Sequence, residues 1–420
     1  MRGSVAVIAT DPRRAVEAVF RIESARLIAG LARFVGDVGL AEELAQDALV
    51  IALEQWPVRG VPDQPGPWLM ATAKHRAVDQ LRRQENYRRK LAVLGRDVEL
   101  AEQQEPDLTD ALDDHIGDDL LRLILTACHP ALTTESQVAL VLRMLGGLST
   151  DEIARAFLTT EATVSQRILR AKRTLAKERV RFELPAPDEL PGRLAATLGV
   201  VYLIFNEGYS ATAGDDWARP QLCEEALRLG RVLAGLLPAE AEVHGLVALM
   251  ELQASRMRAR TGPDGAPVLL FDQDRRLWDR LLIRRGLDAL GRAEALGTLG
   301  PYGLQAAIAA CHARASRPDA TDWGRIAALY RLLAHVAPSA VVELNRAVAV
   351  GMAEGPQAGL DIVDGLAAGV LAKYPHLPAV RGDLLEKLGR AEEARAEFAR
   401  AAALTRNEQE RAIFERRARS

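Results

Sequence analysis

Between Gly147 and Lys177 the chain reads GLSTDEIARAFLTTEATVSQRILRAKRTLAK, and this stretch leaves little choice of local fold. Ser149-Thr150-Asp151-Glu152 is a capping box: the Ser149 hydroxyl can accept from the amide three residues on, and the Glu152 carboxylate can accept from the Ser149 amide. Leu148 and Ile153 flank it at hydrophobic-staple spacing, which predicts a short helix burying Ile153, Ala154 and Phe157. A turn follows, and Thr159 or Thr160 can cap a second helix. On that helix Val164, Ile168, Ala171 and Leu175 form one apolar stripe. The other face carries Thr163, Gln166, Arg167, Arg170 and Arg173, with Lys172 and Lys177 beside them. This is a helix-turn-helix pattern whose second helix presents hydroxyl, amide and guanidinium donors, the groups that read base edges and hold phosphates. A basic amphipathic helix can also be a solvated face; the cap, the staple and the short turn favour the DNA-binding reading.

Charge along the chain is segregated in a way that the net value of −3 conceals. Glu161 to Arg181 holds seven Lys or Arg and two acids, whereas Asp97 to Asp119 holds ten acids and no Lys or Arg. The first stretch extends a cationic surface; the second reads as a linker that could shield it when DNA is absent. At 420 residues, two or three domains are expected. With aromatics at 5% and Ala, Leu, Glu and Arg abundant, the predicted fold class is all-α.

The first ninety residues read as a helical unit. Val16, Val19, Phe20 and the Ile22 to Ile28 spacing suggest one or two helices before Gly36-Asp37-Val38-Gly39 breaks the pattern. Leu40 to Leu53 buries Leu40, Leu44, Ala48 and Ile51 and turns Glu43, Gln46, Asp47 and Glu54 outward, a face that is either solvated or a protein contact. Trp56-Pro57 is expected to end that helix, and Arg59 to Pro67 is a Pro/Gly-rich loop. Trp68 to Arg83 is then a helix carrying Lys74, Arg76, Arg82 and Arg83, with Arg88, Arg89 and Lys90 beyond it. A Trp at a helix start is commonly core; beside a loop and a basic helix it can instead abut unstacked bases.

These modules, in this order, resemble an extracytoplasmic-function RNA polymerase sigma factor over about residues 11–182. The resemblance rests on the AEELAQDALVIAL helix, the PGPWLMATAKHRAVDQLRR helix, the acidic linker and the helix-turn-helix. It implies that residues 1–92 bind core polymerase and the minus-ten element, 93–119 link, and 120–182 bind the minus-thirty-five element. By that likeness Leu44, Gln46, Asp47 and Leu49 lie in the polymerase-docking segment. Trp68, Lys74, Arg76, Asp79, Arg82 and Arg83 lie in the part that melts and reads the minus-ten element, and Thr163, Gln166, Arg167 and Arg170 read the upstream one, with Arg173 on the same face. Thr72 and His75 stand where many members of that family have Ile and Asn.

Residues 183–420 exceed a minimal member of the group. Gly389 to Ala394 with Phe398, Ala401 and Ala402 looks like half of a tetratricopeptide repeat, and Leu222–Pro238 and Trp323–Pro338 look like degenerate copies. Tyr202–Thr212 and Val268–Trp278 interrupt the pattern; their polar and aromatic residues suit an interdomain contact or ordinary loop packing. Together with PYGLQAAIAACHA and PSAVVELNRAVAV, these stretches resemble the sigma subgroup with a long tetratricopeptide-like extension, which implies regulation in cis, including contact with the sigma domains.

The expected partners are core RNA polymerase and promoter DNA. No enzyme motif is present, the seven His are scattered, and no cofactor or metal is expected; Cys128, Cys223 and Cys311 read as buried thiols rather than a zinc site. They suit a reducing cytoplasm. Val5–Ala9 is too short for a signal-peptide core and Leu198–Phe205 too short to span a bilayer, so no membrane association is expected. A helix-turn-helix activator with a repeat-type sensor would share the second module and the extension but gives no reason for the Trp68 helix; a tetratricopeptide scaffold gives a reason for neither module.

Overall fold

The computed structural model describes residues 12–94, 116–209, 219–262, 267–366, 369, 371–405 and 407–419. The apolar run at 5–9, the acidic stretch at 97–115 and the segment 210–212 lie outside the described residues, as do the side chains of Arg88, Arg89 and Lys90. Among the described residues there are eighteen α-helices and no strand, only an isolated bridge between Thr261 and Pro267. The chain is all-α, and it forms two compact units, 1–200 and 201–420.

The first unit opens with α1 (Pro12–Val35), α2 (Val38–Arg59) and α3 (Pro65–Leu94), which pack on one another. α1 is a single helix of 24 residues, buried along Val16, Phe20, Leu27, Ile28 and Leu31, while Ile22 faces out at 71% exposure. Asp37 starts α2 by accepting from the Leu40 amide at 2.8 Å. Ala41, Ala45, Ala48 and Ala52 then make a buried stripe of small residues that permits close helix approach. Pro57 does not end α2 as the sequence suggests: it lies inside the helix and removes the N–H that would bond the Leu53 carbonyl, yet the helix runs on to close at Gly60, whose left-handed φ of 84° carries its amide to the Trp56 carbonyl.

α4 (Ile116–Ala127), α5 (Thr134–Met144), α6 (Thr150–Ala156) and α7 (Glu161–Lys177) follow. Asp118 and Asp119, which the sequence groups with the acidic linker, lie in the first turn of α4, where carboxylates face the positive end of the helix. Asp119 is buried and pairs with Arg122 at 2.6 Å and with Arg33 of α1 at 3.4 Å. The start of α8 (Leu190–Tyr209) closes this unit: Thr197 is buried and hydrogen-bonded to Cys128, and burial pushes the Cys128 thiol up to about 12.

The second unit continues α8 into α9 (Pro220–Leu236), α10 (Ala241–Ala254), α11 (Arg280–Leu296), α12 (Pro301–Arg314), α13 (Trp323–Val336), α14 (Ala340–Ala353), α15 (Pro356–Leu366), α16 (His376–Lys387), α17 (Ala391–Leu404) and α18 (Glu408–Arg419). From α9 onward each helix packs on the next. Proline opens α9, α12 and α15, where its fixed φ suits a first turn. The two interrupting stretches are bridged within this unit by Arg256, which donates to the Tyr209 hydroxyl at 2.6 Å and lies 5.8 Å over the Trp278 ring; Arg260 lies 3.6 Å over the Tyr209 ring. Cys223 and Cys311 are buried, like Cys128.

Candidate nucleic-acid interface

The helix-turn-helix is built as its sequence dictates. The Ser149 hydroxyl accepts from the Glu152 amide at 3.1 Å, and the Glu152 carboxylate accepts from the Ser149 amide at 2.8 Å. Burial alone would raise the Glu152 carboxyl; the Ser149 amide and the guanidinium of Arg21, 2.7 Å away, outweigh it and hold the group below the ordinary carboxylate range. α6 is only seven residues long; Ile153 and Ala154 are buried and Phe157 is half-buried. The turn depends on Leu158, held at a left-handed φ of 47°. That conformation makes Thr160 the cap of α7, its hydroxyl accepting from the Thr163 amide at 3.2 Å.

In α7 Val164, Ile168, Ala171 and Leu175 are buried, so the opposite face is presented. Gln166, Arg170 and Arg173 are exposed, and Thr163 and Arg167 are half-buried. Arg167, Arg170 and Arg173 make no ion pair with a described residue, so their guanidiniums are available to an anion. The Thr163 hydroxyl is shared with that of Thr160 at 2.8 Å. Lys172 departs from the expected face. It turns inward, and its ammonium lies 2.6 Å from the buried Glu42 carboxylate of α2.

The second cluster lies on α3. Trp68 is half-buried and meets the buried Trp56 edge to face, centroids 5.3 Å apart. Arg76, Asp79, Arg82 and Arg83 are exposed along the same helix, as is His75. Lys74 is half-buried; desolvation, and then the charge of Arg33, lower its ammonium below the ordinary value. On α2 the docking segment needs a correction. Leu44 is 1% exposed and belongs to the core, because it falls on the stripe with Ala41, Ala45 and Ala48; Asp47 is exposed and Gln46 and Leu49 are half-buried. The sequence reading missed Glu42, whose carboxylate joins Lys172 and Arg143, more than a hundred residues away, a pairing that no local pattern announces.

No described helix is long and apolar enough to cross a membrane. Among the described residues, no cluster of three or more His, Cys, Asp or Glu is arranged to hold a metal ion.

Comparison with known proteins agrees with this geometry. Residues 20–87 match the model of sigma-70 region 2, residues 122–175 that of sigma-70 region 4, and residues 193–294 a family of unknown function, DUF6596. The chain is 46% identical over 386 residues to an uncharacterized protein of Rhizobium meliloti, covering 91% of this chain and 90% of that one. It is 28% identical over 169 residues to a probable ECF RNA polymerase sigma factor, SigI, of Mycobacterium tuberculosis, covering 39% of this chain and 56% of that protein. No solved structure matches. A region 2 module followed by a region 4 module defines a sigma-70 transcription factor. The chain belongs to the extracytoplasmic-function sigma factors, in a form carrying a C-terminal helical extension.

Proposed function

We propose that this chain docks on core RNA polymerase through the surface of α2, melts and holds the minus-ten element along α3, and reads the minus-thirty-five element with α7. Residues 1–92 and 120–182 are then the two DNA-contacting domains and 93–119 the linker. Gln46, Asp47 and Leu49 supply the docking contacts, with Leu44 fixing that helix in its core. Trp68, Lys74, Arg76, Arg82 and Arg83 hold the opened strand, and Thr163, Gln166, Arg167, Arg170 and Arg173 contact the upstream duplex. Chemistry belongs to the polymerase, and the chain acts in the cytoplasm where polymerase and promoter are.

The observation that carries this reading is the face of α7: three arginines without a described acidic partner, opposite a fully buried apolar stripe. The extension, residues 183–420, is read as a regulator in cis. Run-off transcription from promoter-bearing genomic fragments with purified core polymerase tests the whole. The full chain confers initiation at defined starts; a helix-turn-helix activator or a repeat scaffold leaves core silent. A chain ending after Tyr209, which keeps the helix that covers Cys128, tests the extension, and an unchanged yield from it removes the regulatory part.

A further inference from the structure

The outer face of α11 is cationic in a way that the two sigma modules leave unused. Its underside is fully engaged: Ile283, Gly286, Ala289, Leu290 and Ala293 are buried, and a β-carbon on Gly286 would stand 2.7 Å from the Leu252 side chain of α10. The helix is therefore a fixed mount for whatever projects from its other side. Arg280, Arg284, Asp288 and Arg292, one every four residues, run along that side, and all four are exposed.

The three arginines make no ion pair with a described residue. Other exposed arginines of the second unit are tied down, Arg228 to Glu225 at 2.6 Å, Arg390 to Glu393 at 2.7 Å and Arg276 to Asp274 at 2.8 Å. Asp288 stands four residues from both Arg284 and Arg292 yet forms no ion pair with either. Arg285 is not part of the row, because its charge acts on the Glu251 carboxylate, which is buried under Gly286 and accepts from Arg231 at 2.8 Å. Arg280 and Arg284 are like charges at i, i+4, a pairing that costs helix stability. A partner carrying regular negative charge reverses the sign of that interaction.

The length of the row fits a nucleic-acid backbone. Side chains four residues apart are offset by about 6 Å along a helix, so Arg280 to Arg292 spans about 18 Å. That covers about five base-pair steps at roughly 3.4 Å each, and guanidinium forks match phosphate oxygens in pairs. A bilayer surface fits less well. An interfacial helix lays its apolar face into lipid, whereas that of α11 is occupied by α10, and its exposed leucines, Leu281 and Leu296, lie at opposite ends.

We propose that α11 is a third DNA-contacting surface, on which Arg280, Arg284 and Arg292 hold the phosphate backbone without reading sequence and Asp288 moderates the grip. That promoter DNA is the duplex it meets rests on the sigma-factor reading; binding of duplex by the free chain does not.

Salt titration of the full chain tests it. Arg280→Gln, Arg284→Gln and Arg292→Gln, combined in one chain, remove charge and keep helix propensity. With a mixed-sequence duplex, the slope of log K against log salt should fall by about 2 to 3 units and low-salt affinity by about tenfold or more. Lysine at the same three positions should retain most of the slope. Asp288→Asn should act in the opposite direction, tightening binding at low salt and leaving it unchanged at high salt. Preference for a matched over a scrambled upstream element should be the same in the glutamine variant, since α7 is untouched. In the complex of promoter with polymerase, hydroxyl-radical cleavage should show about five backbone positions whose protection the glutamine variant loses. An unchanged slope or an unchanged footprint in that variant overturns the proposal. So does loss of binding to phosphatidylserine vesicles with duplex binding unaltered, which would make the face a membrane contact. Failure of the unmodified chain to initiate with core overturns the sigma-factor reading instead, and leaves the salt titration to judge α11.

Discussion

The indole rings of Trp56 and Trp68 meet edge to face, centroids 5.3 Å apart and planes inclined at 65°, which ties the end of α2 to the start of α3 across the intervening loop. Trp56 is the buried partner and Trp68 the half-buried one, so Trp68 can serve the core and still offer ring surface to a base. Trp68→Ala should therefore reduce strand opening, read as permanganate reactivity of the melted strand, by a factor corresponding to about 1 to 3 kcal/mol for each base that stacks on it. Binding to closed duplex should be preserved. Loss of stability without loss of opening would make Trp68 a core residue alone.

Arg167→Ala and Arg170→Ala should each weaken binding to the upstream element by about 1 to 3 kcal/mol where the side chain contacts a base. A phosphate contact behaves differently: affinity falls for every sequence and the slope of log K against log salt drops by roughly one unit. Titrations of matched and scrambled duplexes at several salt concentrations separate the two.

Ser149→Ala removes one half of the capping box and should cost about 1 kcal/mol of stability, read as a lower urea midpoint. Glu152, the other half, has its carboxyl held below the ordinary value, so its contribution is fully present above about pH 4.5 and is lost as acid protonates it below that. Glu152→Gln should flatten the loss of stability between pH 5 and pH 3, measured by denaturant titration at each pH.

His312 on α12 sits edge-on to Trp323, centroids 5.2 Å apart; burial first, then Arg256 and Arg275, bring its pKa down to about 4. The unfolded chain takes a proton near pH 6.5 that the folded chain refuses until about pH 4. The contribution of His312 to stability is therefore fully present above pH 6.5 and is lost as pH falls from there to about 4, by on the order of 3 kcal/mol. His312→Phe should remove that decline. An unchanged slope would place the charged imidazole in contact with water.

What was legible in the sequence was local. The capping box, the Val164 to Leu175 stripe and the outward placement of Arg170 and Arg173 follow from spacing within a few turns and stand in the structure as read; Arg167 is half-buried and Lys172 turns inward. Thr160 rather than Thr159 is the cap because Leu158 adopts a left-handed backbone, which propensity does not announce for leucine. Leu44 was legible as buried from its periodicity, yet the family likeness drew it into the docking surface. Two features lay beyond local pattern: α1 runs unbroken because tertiary packing covers one side of it, and the Glu42–Lys172 pair joins residues 130 apart in sequence. Buried charge is read from a partner, and a partner so distant leaves no mark on the residues around it.

Gly147 carries its own consequence. It sits at a φ of 64°, and a β-carbon there would stand 3.0 Å from the Ser24 hydroxyl and 3.3 Å from the Arg21 backbone, both on α1. The residue that precedes the helix-turn-helix is thus also where its main chain rests against α1, so closely that a methyl would have to push its neighbours aside by a few tenths of an ångström. Gly147→Ala would therefore strain the turn before α6 twice over, through its left-handed backbone and by pressing on α1, while leaving every side chain on the exposed face of α7 unchanged.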